Sequence, residues 1–160
     1  MKSQTSPGAD REARALVVRR VFDAPPAIVF SLWSDPAYVR QWWHPRNFTT
    51  PAFEMDFRIG GAYRYCIRSH GKDHWAHGIY RDIEAPKRLV FTFQWESGNA
   101  VHDAETLITI AFAPEQSDRT LVTFRQEPFA SISDRDSHAE GWGQVLDSFD
   151  AFVIMQRETR

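Results

Sequence analysis

The chain has 160 residues, of which 14% are aromatic, and its 19 basic and 21 acidic side chains give a formal net charge of −2. This length fits one domain, and the lack of a basic excess argues against binding to a nucleic-acid backbone. One cysteine excludes an internal disulfide framework, and no apolar run is long enough to cross a membrane or resembles a signal peptide. We therefore expect a cytoplasmic protein with no nucleic acid and no membrane among its partners.

The N-terminal part of the chain predicts a tail, a strand and a short helix. Residues 1–14 are mostly polar, which predicts a disordered tail ahead of one domain over residues 15–157. A β-branched run then predicts a strand over residues 16–23, ended by a pair of prolines. Proline is favoured in the first turn of a helix, and the apolar side chains after Pro26 follow helical spacing, so a short helix is expected there.

The stretch DPAYVRQWWHP, residues 35–45, predicts a second short helix that contains two adjacent tryptophans. Asp35 is a suitable N-cap, and apolar side chains four residues apart form a single face. A helix this short docks through that face and is not stable alone. We expect Trp42 to lie in the core. The pattern leaves Trp43 in the core, at a cavity mouth or, together with His44, on a surface that meets a partner protein.

From residue 50 onward the hydrophobic period changes from 3.6 to 2, which predicts strands. Short turns separate the apolar runs, and such short connections favour antiparallel neighbours. Along each strand, alternate side chains share one apolar face. The predicted strands occupy residues 50–59, 62–69, 74–85, 88–95, 105–113 and 120–129.

The last predicted element is a long amphipathic helix. Ser137 and Glu140 match a capping box, although Ser133 or Asp134 could begin the helix earlier. Because this is the only long amphipathic element, it must cover the apolar face of the sheet. We therefore predict an α+β fold in which a curved seven-stranded antiparallel sheet wraps around the long C-terminal helix, with two short helices between the first and second strands. The apolar stripe of the helix comprises Trp142, Val145, Leu146, Phe149, Phe152 and Val153.

This order of elements resembles the helix-grip fold of the START-like superfamily, also known as SRPBCC or birch-pollen-allergen-like proteins. Four sequence blocks, at residues 22–49, 56–65, 78–93 and 138–149, are similar to the family of activator-of-heat-shock-protein-90-ATPase homologues. The resemblance covers about residues 15–155 in order. It implies an apolar cavity between the sheet and the long helix, in a superfamily that includes binding proteins, aromatase/cyclases and self-resistance proteins.

The inward face of the predicted sheet and helix is aromatic but carries polar tips. Buried hydroxyl and amide groups must find hydrogen-bond partners, and a mostly apolar pocket with few convergent polar groups is typical of ligand sites. We expect tyrosine hydroxyls and the amide of Gln126 to orient a small apolar or aromatic molecule. The predicted cavity residues are Trp33, Trp42, Tyr63, Tyr65, Tyr80, Phe91, Phe93, Trp95, Ile108, Ile110, Phe124, Gln126, Trp142, Val145 and Phe149.

No catalytic residue, metal site or cofactor is predicted. His74 and His77 lie close in sequence but point to opposite faces of a strand, which argues against a shared metal ion. The sequence contains no nucleophile elbow and no phosphate-binding loop. His138, at the start of the long helix, could donate a proton at a cavity mouth, although a histidine at such a position is more often solvated.

The sequence leaves three functions open. The preferred hypothesis is a stand-alone ligand-binding domain, as a monomer or a homodimer. A co-chaperone-like interaction module, which the family resemblance implies, would use Trp43 and His44 against a chaperone. A cyclase- or dehydratase-like enzyme acting on an aromatic or polyketide-like substrate would need a titratable group inside the cavity, and an enzyme is the less favoured hypothesis.

Overall fold

The computed structural model describes residues 12–159, and its main elements are one sheet, two short helices and one long helix. The seven strands form a single antiparallel sheet in the order β1-β7-β6-β5-β4-β3-β2, and the predicted helix-grip fold is confirmed. In chain order the elements are β1 (Leu16–Phe22), α1 (Pro26–Ser31), α2 (Pro36–Trp42), β2 (Thr49–Met55), β3 (Ala62–Ser69), β4 (Lys72–Glu84), β5 (Arg88–Trp95), β6 (Thr106–Glu115), β7 (Arg119–Glu127) and α3 (Ile132–Glu158).

The long helix α3 buries the whole apolar stripe that the sequence predicts, so its orientation over the sheet follows from helical periodicity. Its start differs from the prediction. Ser131 is the N-cap, and its side-chain oxygen accepts a hydrogen bond from the backbone N–H of Asp134 at 3.0 Å. The capping box predicted at Ser137 and Glu140 is therefore wrong, because the backbone is already helical from Ile132.

The two short helices close one end of the space between the sheet and α3. Asp35 caps α2 as predicted, since its carboxylate accepts from the backbone N–H of Ala37 at 2.8 Å. Trp42 is fully buried, and its indole N–H donates to the carbonyl of Leu32 at 3.1 Å. The Trp42 ring lies 4.5 Å, centroid to centroid, from Phe149 of α3. This end of the core is therefore filled by aromatic side chains of the protein itself.

Strand β4 has an irregularity just after Tyr80 and a close approach to its neighbours at Gly78. The pairing of β4 with β5 shifts register between Tyr80 and Asp82. Gly78 precedes the shift, and a Cβ atom there would lie 1.9 Å from the carbonyl oxygen of Thr92 and 2.6 Å from the Tyr63 ring. Glycine is needed at this position because the neighbouring strand and the Tyr63 ring approach its Cα too closely for any side chain.

The predicted tail at residues 1–14 lies mostly outside the described residues, which begin at residue 12. Residues 12–14 differ from the prediction, because they contact the domain. The carboxylate of Glu12 lies 2.6 Å from the guanidinium of Arg125, and Arg14 donates to the carbonyl of Phe129 at 3.2 Å. The packed part of the chain thus begins before residue 15, where the predicted domain starts.

Candidate functional site

A cavity of about 170 Å³ lies between the N-terminal half of α3 and strands β3 and β5. Its walls are mainly aromatic and aliphatic. Exposed side chains mark its mouth, and buried indoles form its interior. The lining residues are Trp43, Pro45, Tyr65, Ile67, Trp95, His102, Ser137, His138, Gly141, Trp142 and Val145.

Indole rings define the inner walls of this cavity. Trp43 follows α2, and its carbonyl accepts a hydrogen bond from the Thr50 hydroxyl at 2.7 Å, which fixes the end of that helix. Trp142 comes from α3, and its ring lies nearly perpendicular to that of Trp43 at a centroid distance of 5.6 Å. The indole N–H of Trp142 donates to Gln126 at 2.7 Å. Hydrogen bonds to protein groups therefore hold these walls in place without a ligand.

His138 and Trp95 form a hydrogen-bonded pair at the mouth. The indole N–H of Trp95 donates to Nε2 of His138 at 3.0 Å, while Nδ1 of His138 lies 2.8 Å from the backbone carbonyl of Asp134. Because an indole N–H can only donate, Nε2 accepts and Nδ1 carries the proton in the neutral imidazole. Both ring nitrogens of His138 are thus engaged by the protein.

The loop between β5 and β6 forms the other side of the mouth. The His102 ring stacks on Trp95 at a centroid distance of 5.9 Å and an interplanar angle of 10°. Asp103 stabilises the loop because its carboxylate accepts from the Ser97 hydroxyl at 2.6 Å and from the Gly98 backbone N–H at 2.7 Å. Hydrogen bonding to these groups lowers the pKa of Asp103 despite the opposing effect of desolvation.

Tyr65 supplies a hydroxyl to the cavity. Burial raises the pKa of this hydroxyl well above its usual range. The nearby Trp43 indole N–H would stabilise the ionised oxygen, but this lowers the pKa by less than burial raises it. The group is therefore a neutral phenol at physiological pH. The buried Nε1 of Trp43 has no acceptor in hydrogen-bond geometry within residues 12–159.

Four of the residues predicted for the ligand cavity line it: Tyr65, Trp95, Trp142 and Val145. The other predicted residues are buried, but they pack against one another. Among Tyr63, Tyr80 and Phe91, for example, only about 10 Å³ of space remains. The predicted residues that lie in this closed core are Trp33, Trp42, Tyr63, Tyr80, Phe91, Phe93, Ile108, Ile110, Phe124, Gln126 and Phe149.

The polar tips expected to orient a ligand are partly used by the protein itself. The Tyr63 hydroxyl donates to the carbonyl of Thr92 at 2.5 Å. Gln126 is fully buried, and its amide nitrogen donates to the Thr106 hydroxyl at 2.9 Å while its oxygen accepts from Trp142. Neither group lines the cavity, so the Tyr65 hydroxyl is the only one of these tips that does.

Trp43 does not form the surface that the partner hypothesis requires. Its side chain is only 4% exposed and packs against Phe53, Tyr65 and Trp142. His44 is partly exposed beside it. The expected partner surface at Trp43 is therefore wrong, because aromatic rings of the protein itself cover the indole.

Sequence reasoning missed several lining residues, among them His102, Ile67 and Gly141. Gly141 gave a usable signal, because a glycine within a long amphipathic helix lowers helix stability and needs a packing or functional reason. A Cβ atom at Gly141 would meet nothing within 4 Å, so the missing side chain leaves space open. His102 lies in a loop, where periodicity does not indicate which side chains face inward.

Within residues 12–159, no three or more His, Cys, Asp or Glu side chains come together as they would around a metal ion. In the same part of the chain, no helix has the length and apolar character needed to span a membrane.

The sheet wrapped around a terminal helix, with an aromatic pocket between them, defines a domain of the START-like helix-grip class. Residues 23–153 match the family described as "Activator of Hsp90 ATPase homolog 1-like protein", and the chain belongs to this family. A comparison with curated proteins finds no match.

Solved structures share the fold over most of their length. Protein CV1439 from Chromobacterium violaceum is 25% identical, with a TM-score of 0.78 over 88% of this chain and 96% of that one. The AHSA1 protein from Silicibacter pomeroyi is 21% identical, with a TM-score of 0.78 over 89% and 99%. CalU16 from Micromonospora echinospora is 23% identical, with a TM-score of 0.65 over 89% and 79%. The latter two likenesses concern the fold alone.

Proposed function

We propose that this domain binds a small apolar or aromatic molecule in the cavity between β3, β5 and α3. The observation that carries the proposal is the preformed cavity of about 170 Å³ with three indoles and one phenol in its walls. Ligand sites are typically concave, mostly apolar and supplied with a few polar groups, and this cavity has those properties. Aromatic walls favour a flat ring, which can stack or pack edge to face against them.

The volume indicates the size of the ligand. An engineered apolar cavity of about 150 Å³ holds benzene, so this cavity of about 170 Å³ suits one substituted aromatic ring. A probe of about nine non-hydrogen atoms that gains about 0.6 kcal/mol per atom would bind with about −5.4 kcal/mol. This corresponds to a Kd of about 0.1 mM for a simple probe, and a ligand that also uses the polar groups would bind more tightly.

The test is a titration of the ¹⁵N-labelled protein with cumene, an apolar substituted benzene, followed by the indole N–H signals of the tryptophans. We expect saturable shifts, largest for the cavity indoles Trp43, Trp95 and Trp142, because ring currents act over short distances. An absence of saturable shifts, or shifts confined to other parts of the molecule, would contradict the proposal.

Two glycines of α3 supply a matched pair of variants. Gly141→Leu places a side chain in the open space of the cavity, whereas Gly143→Leu makes the same substitution away from the lining. A Cβ atom at Gly143 would contact only the Arg20 guanidinium, at 3.8 Å. We expect Gly141→Leu to weaken cumene binding more than tenfold and Gly143→Leu to change it less than twofold. Equal effects of the two variants would place the probe elsewhere.

The structure gives the alternative functions no comparable support. Burial of Trp43 removes the surface on which the chaperone-module hypothesis depended. The enzyme hypothesis needs a titratable group in the cavity, and His102 and His138 do line it, but both nitrogens of His138 are already bonded to protein groups.

We also propose a cytoplasmic location. The support is indirect: the one cysteine, Cys66, is a buried free thiol, and free thiols are usual in reducing compartments. Fractionation of the cells that produce the protein would test this.

A further inference from the structure

We propose that the ligand is a neutral aromatic compound with a hydrogen-bond-accepting oxygen, such as an aromatic ketone, and that the Tyr65 hydroxyl donates to this oxygen. The inference rests on the proposed function, because it assigns a ligand class to the same cavity. It comes from two polar groups of the cavity wall, the Trp43 N–H and the Tyr65 hydroxyl, whose protons no group within residues 12–159 accepts.

The first unused group is the indole N–H of Trp43. This side chain lines the cavity, is only 4% exposed, and its Nε1 meets no acceptor in hydrogen-bond geometry within residues 12–159. A buried donor without an acceptor costs about 1–3 kcal/mol and calls for an explanation. The other two cavity indoles differ, because Trp95 donates to His138 and Trp142 donates to Gln126.

The second unused group is the Tyr65 hydroxyl, whose ring lies beside the Trp43 indole at a centroid distance of 5.6 Å. No protein group in the described part of the chain accepts the hydroxyl proton of Tyr65. In contrast, the proton of the neighbouring Tyr63 hydroxyl goes to the carbonyl of Thr92 at 2.5 Å. Of these two tyrosines only Tyr65 lines the cavity, so its proton is available to a molecule bound there.

Together the two groups place two unused donors beside the same cavity. A carbonyl oxygen has two lone pairs, so one ligand oxygen can accept from both the Tyr65 hydroxyl and the Trp43 N–H. One acceptor atom on the ligand thereby satisfies two donors. An apolar ligand would leave both unsatisfied.

The charge of the lining indicates a neutral ligand. None of the residues that line the cavity is Lys, Arg, Asp or Glu. An ionised carboxylate buried among the indoles would lose its hydration without a Lys or Arg partner, which is costly. A carbonyl oxygen needs only one or two donors, and the Trp43–Tyr65 pair supplies that number.

The experiment compares acetophenone with cumene, two substituted benzenes of similar shape that differ by a carbonyl oxygen in place of a methyl group. Each is titrated into the wild type, Tyr65→Phe and the control Tyr63→Phe, with the indole N–H signals as readout. We expect Tyr65→Phe to weaken acetophenone binding about three- to tenfold, the range for one net hydrogen bond, and cumene binding less than twofold. Tyr63→Phe should change both affinities less than twofold.

A measurement on the wild type alone provides an independent check. The Trp43 N–H signal should move downfield with acetophenone, as the N–H gains a hydrogen bond, and should not do so with cumene. This check does not depend on the folding of any variant.

The outcomes separate the two proposals. If cumene binds in the cavity but Tyr65→Phe weakens both probes equally, or neither, the oxygen-acceptor proposal is overturned and the proposed function stands. If neither probe binds the wild type, both proposals are refuted. If Tyr63→Phe acts as strongly as Tyr65→Phe on acetophenone, the effect is a general loosening of β3 and the assignment to Tyr65 is wrong.

Discussion

Replacing Gln126 by leucine should lower the stability of the fold far more than the affinity of the cavity, because Gln126 does not line the cavity itself. Gln126 is fully buried, accepts from the Trp142 indole at 2.7 Å and donates to the Thr106 hydroxyl at 2.9 Å. Leucine has a similar size, so the main loss is polar. The Trp142 N–H would stay buried without an acceptor, at a cost of about 1–3 kcal/mol, while the Thr106 hydroxyl would keep its bond to the carbonyl of Phe93. We expect a loss of about 2 kcal/mol in the free energy of unfolding.

A double-mutant cycle distinguishes this account from a packing effect. Trp142→Phe removes the donor and leaves the Gln126 oxygen without its partner, so it is also destabilising. In the double variant neither unsatisfied group remains. We therefore expect its loss to fall short of the sum of the single losses by about 1–2 kcal/mol. The assay is urea unfolding at constant pH, with an unchanged m value as the sign that the folded and unfolded states are comparable.

Two results would refute the reasoning. If Gln126→Leu loses less than about 0.5 kcal/mol, the Trp142 N–H finds another partner or the hydrogen bond contributes nothing. If the single losses simply add, the two side chains are not coupled. A ligand-orienting role for Gln126, as expected from the sequence, would show instead as an altered acetophenone affinity, whereas we expect no more than a twofold change.

Three further predictions concern the stability of the fold. Gly78→Ala should lower the free energy of unfolding by about 1–3 kcal/mol or more in urea, because its Cβ would lie 1.9 Å from the Thr92 carbonyl oxygen. Ser131→Ala should cost about 1 kcal/mol by the same assay, since the Asp134 N–H loses its cap. Burial raises the pKa of the three buried tyrosines of β3 and β4, so they keep their protons when folded and release them when unfolded at high pH. These tyrosines are Tyr63, Tyr65 and Tyr80. They should not change the free energy of unfolding below about pH 10, the pKa of a tyrosine in the unfolded chain. Above that pH each should lower it by about 1.4 kcal/mol per pH unit. A flat profile to pH 11 would contradict this.

The amino-acid sequence determined the order of the elements, the single sheet and the faces that turn inward. These follow from local chemistry. Alternation with a period of two placed Tyr63 and Tyr65 on the buried face, and a 3.6-residue period placed Trp142 and Phe149 on the buried side of α3. Asp35 marked the start of α2 because a cap acts on backbone groups only two residues away.

The tertiary structure alone decided where the inward face is filled and where it is open. A cavity is the difference between the volume that the backbone encloses and the volume of the side chains that meet there, and these side chains come from distant parts of the chain. Tyr63 and Phe91 face inward like Tyr65, yet the rings of Trp33 and Trp43, which follow α1 and α2, fill the space beside them. In the N-terminal half of α3, Gly141 contributes no side chain, and the space beside it stays open as the cavity.

The same reason separates Gln126 from Tyr65. Both are polar groups on the inward face, and the alternation pattern predicts both equally as ligand contacts. Trp142 and Thr106 lie within hydrogen-bonding distance of Gln126, whereas no protein acceptor receives the Tyr65 hydroxyl proton within residues 12–159. Hydrogen bonding acts over about 3 Å, so only the packed structure determines which polar group remains available for a ligand.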